Sequence, residues 1–158
     1  AQPTPVEQFH WTDLSASGRT DMGKALKLVA EQLKIPPMTN RALPPVLVLI
    51  SDGHPTDDFD SGLKALLDLP WGKKAVRVAI AIGEDADHDV LQRFVNHPEL
   101  KPLQANNPEA LVRQIKWVST AVLKSASSPP SQPAGVATAG NVPIPQPVSE
   151  PSGADDVW

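Results

Sequence analysis

The sequence predicts an α/β fold, a parallel sheet between helices in three layers, and three observations carry that reading. "VLVLIS" (residues 46–51) is a continuous β-branched and aliphatic run after Pro44 and Pro45, the mark of a strand buried on both faces. "AVRVAIAI" (residues 75–82) is a second such run. Between them Phe59, Leu63, Leu66 and Leu67 recur at helical spacing; strand, helix, strand with buried strands is a parallel βαβ unit.

The remaining elements follow along the chain. Met22, Leu26, Val29 and Leu33 form an apolar stripe that predicts a helix, ended by Pro36 and Pro37. The helix that carries Phe59 stops at Pro70. A short helix over residues 89–95 follows the second strand, with Leu91 and Phe94 inward, and Leu111, Ile115, Val118 and Val122 stripe the last one. Trp11, Trp71 and Trp117 are expected to pack rather than to present binding platforms. Residues 125–158 hold most of the chain's later prolines among Ser, Ala and Gly, too little apolar surface to offset chain entropy. The expected organisation is therefore a globular domain over 1–124 and a disordered Pro/Ser/Ala-rich tail over 125–158, its terminal "ADDVW" an inert end.

Composition narrows the function classes. The chain has 158 residues and a formal net charge of −4, which offers no broad basic face to a phosphate backbone, so nucleic acid is not the expected partner. No run of eighteen apolar residues could cross a bilayer, and no secretory leader with an apolar centre opens the sequence. There is no Cys, which removes disulfides and thiolate chemistry and suits a cytoplasmic location.

Open α/β sheets bind ligands at the carboxyl ends of their strands. "SDGHPTDD" (residues 51–58) leaves the first buried strand at that end, and Asp52 is the leading candidate there, with Gly53 allowing a sharp turn. In "SASGRTDMG" Gly18 supplies turn freedom and Thr20 stands just before the Met22 helix, where its hydroxyl could cap the helix or bind a cation. Hard oxygen donors suit a hydrated Mg²⁺ ion. Asp52 could instead satisfy its own turn, and Asp57 and Asp58 suit the N-terminal dipole of the next helix. His54 and the acid-rich "GEDADHD" (residues 83–89) read as solvated loop; the latter lacks EF-hand spacing.

"SGRTDMGKAL" (17–26), "LVLISDGHPTDD" (47–58) and "VRVAIAIGEDAD" (76–87) together resemble the von Willebrand factor A domain. "LSASGRTDMGKAL" and the closing "IKWVS" are similar to its TerY-like, tellurium-resistance branch. The resemblance implies a Rossmann-like three-layer fold and a divalent cation, Mg²⁺ or similar, held by three loops: an Asp-x-Ser-x-Ser, a Thr and an Asp. By position Thr20 takes the second role and Asp52 the third. Asp13, Ser15 and Ser17 spell the first motif, yet the helix, strand and Thr loop that should follow it do not fit between Gly18 and Val46. That match is read as chance. "VEQFHWT" (6–12) is too polar for a central strand and is expected to be the edge strand before the Thr loop. The fold is accordingly expected to be incomplete, lacking the family's first strand, first helix and second strand; a start at Ala1 rather than Met agrees, and cation binding by this chain should be weak or absent.

The resemblance further implies a non-catalytic protein-binding module whose cation is completed by an acidic residue of a partner protein, with a cytoplasmic role in tellurite or stress signalling and protein kinase or metal-dependent phosphatase modules as partners. Two alternatives use Asp52 otherwise: a receiver-like phosphoacceptor, for which "AIAIGEDAD" lacks the required Lys, and a metal-dependent hydrolase, for which one Asp and one Thr cannot fix two metals.

Overall fold

A computed structural model of the chain describes residues 5–10, 18–127, 138–139 and 142–143. After a 3₁₀ turn at Val6–Gln8 come α1 (Met22–Gln32), β1 (Val46–Ser51), α2 (Phe59–Leu67), α3 (Pro70–Lys74) and β2 (Val76–Ile82). There follow α4 (His88–Val95), β3 (Leu103–Ala105), α5 (Pro108–Trp117), a π-helical turn at Val118–Val122, α6 (Leu123–Ser127), and two short strands, β4 (Thr138–Ala139) and β5 (Val142–Pro143).

The sheet is parallel, in the order β1-β2-β3, with Val46 opposite Val76 and Ile80 opposite Leu103. β2 is central, and its residues from Val76 to Ala81 are buried, as a strand covered on both faces requires. One core joins it to Met22 and Leu26 of α1, Leu63 and Leu66 of α2, Leu91 and Phe94 of α4, and Trp117 and Val122 near the chain's last long helix. α1 and α2 touch through glycines: a Cβ on Gly62 would collide with the Gly23 carbonyl, and one on Gly23 with that of Asp58.

Three expectations are corrected. β1 is not buried on both faces; it ends the described sheet, and Val48 and Ile50 are 41% and 42% exposed. Residues 6–8 form a 3₁₀ turn rather than an edge strand, since no strand lies beside them to supply a ladder among the described residues. The inward face of α5 is Ala110, Gln114 and Trp117, while Ile115 stays 42% exposed. Val118 and Val122 are buried as the stripe predicts, at a π turn over Val118–Val122. The hydroxyls of Ser119 and Thr120 bond back to Ile115 and Lys116 carbonyls there.

The helical segment runs past Lys124 to Ser127, and β4 and β5 pair antiparallel within the expected tail, Thr138 opposite Pro143 and Ala139 opposite Val142. The rest of that tail, Trp11, and Asp13, Ser15 and Ser17 lie outside the described residues.

Candidate functional site

The carboxyl end of β1 and the loop before α1 converge. Gly18, at φ 90°, takes the left-handed turn that glycine adopts without a Cβ penalty and sends the chain toward Thr20. Two backbone and side-chain ties then hold the loops together. Thr56 N donates to Thr20 O at 2.9 Å, and Arg19 Nη2 donates to Thr56 O at 3.1 Å. The Thr20 hydroxyl oxygen consequently stands 3.9 Å from the point that a Cβ on Gly53 would occupy. Thr20 and the residue after Asp52 are thus neighbours, although more than thirty positions apart in sequence.

Each of the ordinary structural duties open to these two residues is performed by another. Asp21, not Thr20, is the N-cap residue of α1, and it makes no side-chain cap bond. The cap comes from Asp57, whose two carboxylate oxygens accept from Gly23 N at 2.8 Å and Lys24 N at 2.7 Å. These donors, Gly23 first, and the nearby Lys27 charge hold the Asp57 carboxyl below the usual aspartate range against an opposing desolvation. The turn after β1 is tied by Ser51: its Oγ accepts from Gly53 N at 3.3 Å and donates to Gly53 O at 3.2 Å. Asp52 is exposed, and among the described residues its carboxylate makes no hydrogen bond or ion pair; the Thr20 hydroxyl makes none either. Two hard oxygen donors are therefore left uncommitted at the strand's carboxyl end.

The third loop approaches through His54, whose Nδ1 lies 2.8 Å from Asp87 Oδ2. Asp87 also caps α4 by accepting from Val90 N at 3.1 Å, and that bond, more than His54, lowers its carboxyl's pKa. Sequence reading treated His54 and this loop as solvated; their pairing bridges the ends of β1 and β2. Asp58 caps α2 through Ser61 N, as its position suggested, whereas Asp57 acts on the other helix.

Donor chemistry and position suit an oxygen-seeking divalent ion, but one carboxylate and one hydroxyl fill only part of an octahedral shell. Among the described residues no three or more His, Cys, Asp or Glu side chains gather to complete it.

The family model for the von Willebrand factor type A domain matches residues 6–115. The chain belongs to that family. Neither a curated protein nor a solved structure matches the chain. Von Willebrand factor type A domains commonly mediate protein–protein interaction, often with a divalent metal at an adhesion site. The matched span contains both Thr20 and Asp52 and the whole three-stranded sheet. No helix among the described residues is long and apolar enough to cross a membrane.

Proposed function

We propose that this von Willebrand factor type A domain is a non-catalytic protein-interaction module in which Thr20 and Asp52 contribute two ligands to a Mg²⁺-type site. The observation that supports it most is their idleness. A buried or turn-bound carboxylate is normally consumed by nearby N–H groups, and here Ser51 and Asp57 carry out that local work. The ion, when bound, would supply a positive centre for a partner's acidic side chain; Thr20 and Asp52 would orient it.

The finer reading is that these residues form part of a TerY-like domain of a cytoplasmic tellurite or stress response, whose partners include protein kinase or phosphatase modules. It rests on the "LSASGRTDMGKAL" and "IKWVS" resemblances. The open edge of β1 supports a further component. The family's first strand, first helix and second strand, with the Asp-x-Ser-x-Ser loop, would come from outside these residues.

A titration of ¹⁵N-labelled chain with Mg²⁺ tests the site. The expected result is weak saturation, in the millimolar range, with amide shifts centred on Thr20 and Asp52 that Asp52→Ala removes. Shifts of equal size in the Asp52→Ala variant would sink the assignment.

A further inference from the structure

Asp52 and Gly53 together carry a chemistry that the cation reading does not use. They form the one Asp-Gly pair in the sequence, and Asn-Gly does not occur. A peptide nitrogen that follows an aspartate can attack that residue's own side-chain carboxyl. The nitrogen of glycine is the most open to this, because no Cβ stands beside it.

The surroundings decide whether a folded chain permits the attack. Asp52 is exposed, and among the described residues its carboxylate makes no hydrogen bond or ion pair that would hold it away from Gly53. Both residues lie in the bend that leaves β1, outside any ladder or helix that would fix their dihedral angles. Gly53 N donates to Ser51 Oγ at 3.3 Å, longer than the usual N–H···O range, so the nitrogen is loosely tied. The space beside Gly53 is open, with the Thr20 hydroxyl 3.9 Å from the point that a Cβ would occupy.

The neighbouring aspartates differ. Asp57, Asp58 and Asp87 are spent on helix caps, and Asp21 stands against Arg19 and Thr56. Asp85 is exposed, but it precedes Ala86, whose buried methyl group flanks the nitrogen that would attack.

We propose that Asp52 is a site of spontaneous isomerisation to isoaspartate. In the first step Gly53 N bonds to Asp52 Cγ, the Cγ–O bond breaks, and the amide proton leaves with the carboxyl hydroxyl as water. The product is a succinimide. In the second step water adds to the main-chain carbonyl carbon of Asp52, and the bond from that carbon to Gly53 N breaks. The main chain then runs through Cβ and Cγ, and the freed carboxylate sits on Cα. Hydrolysis at Cγ instead restores aspartate. A water is lost and a water regained, so no other reactant is needed. The methylene added to the main chain moves Gly53 off its two ties to Ser51 Oγ and shortens the solvent-facing carboxylate arm. The proposal goes beyond the cation reading and does not depend on it; where that reading holds, the isomerised chain also loses a ligand.

The full chain, aged while folded at mildly acidic pH, where the carboxyl hydroxyl that must leave is more often present, tests this. Isoaspartate is counted by enzymatic methyl transfer to the new carboxylate. It is located by electron-transfer fragmentation of the tryptic peptide over residues 42–64, in which the Cα–Cβ bond of isoaspartate, now part of the main chain, breaks diagnostically. The expected result is isoaspartate at Asp52 before any other described aspartate, and a several-fold slower rise in Gly53→Ala, which the open space accommodates. A folded chain that stays unmodified at Asp52, while a synthetic peptide of residues 47–58 isomerises beside it, would overturn the proposal. So would an equal rate in Gly53→Ala, or isoaspartate that gathers first at Asp85.

Discussion

Asp57 holds the first turn of α1 by accepting from Gly23 N at 2.8 Å, although 34 residues separate the two. The same carboxylate takes Lys24 N, so a loop at the end of β1 supplies the cap that α1's own N-cap residue, Asp21, does not. A carboxyl whose folded-state pKa is depressed contributes stability above its unfolded value. That contribution is lost as pH falls through the folded value. For Asp57 the loss therefore begins near the ordinary aspartate range, about 3.9, and is complete below it. Asp57→Asn should lower the melting temperature at pH 7, and the gap from wild type should narrow as pH falls through the lowered Asp57 value. Thermal melts of both proteins from pH 7 into strong acid check this; a gap of constant size throughout would mean the charge is not what matters.

The Gly23–Gly62 approach sets two effects against each other. Ala in place of a mid-helix Gly ordinarily stabilises by about 0.5–1 kcal/mol. Here a Gly62 Cβ would strike the Gly23 backbone, which cannot rotate away as a side chain could. Overpacking of that kind costs about 1–3 kcal/mol, so Gly62→Ala should destabilise on balance by roughly 1–2 kcal/mol. Gly53→Ala, whose Cβ would find only the Thr20 hydroxyl at 3.9 Å, is the control and should be near neutral. Urea unfolding of the pair reads the difference, and a stabilised Gly62→Ala would show that the helices can part at little cost.

Much of this architecture was legible, and the misses share physical causes. The β-branched run of β2 and the Met22–Leu26 and Leu63–Leu66 pairs announce their elements because burial on a regular period leaves a pattern. β1 has an equally apolar run, but such a run cannot say whether a neighbour lies on one side or both. β3 is the three residues "LQA", too short and too free of β-branching to register. Pro70 read as a helix stop yet is the first residue of α3, the other position where a missing N–H costs nothing. At the site, Thr20 and Asp52 could be named from their positions before a helix and after a strand. The reach of Asp57 across to α1 and of His54 to Asp87 could not, since neither contact has any local signal.

Asp87 serves both α4 and His54, and the two duties should differ in weight. Loss of an Asp N-cap costs about 1 kcal/mol. The His54 side chain is 71% exposed, and an exposed pair contributes at most a few tenths to about 1 kcal/mol. Asp87→Ala should thus be the more destabilising change, with His54→Ala close to wild type in denaturant unfolding near neutral pH. Equal losses would mean that the bridge between the β1 and β2 loops, rather than the cap, is the larger part of what Asp87 does.

Arg77 is the charge the core has to accommodate. It lies on the central strand, 8% exposed, and burial pushes its pKa below the usual arginine value. Its guanidinium donates from Nε to Phe94 O at 2.8 Å and from Nη1 to Gly72 O at 2.9 Å, joining the last turn of α4 to α3 across β2. Those carbonyls belong to helix ends, where electron-rich groups lack intrahelical donors and favour a cation. Arg77→Met keeps most of the stem's packing and removes the desolvated charge along with both donors, so it should cost only about 1–2 kcal/mol. Arg77→Ala adds a cavity to the lost bonds and should cost about 3 kcal/mol or more. Equilibrium unfolding in guanidinium measures both. An Ala variant as stable as wild type would show that α3 and α4 are held to the sheet by apolar contact alone, and that the guanidinium is not a clamp between them.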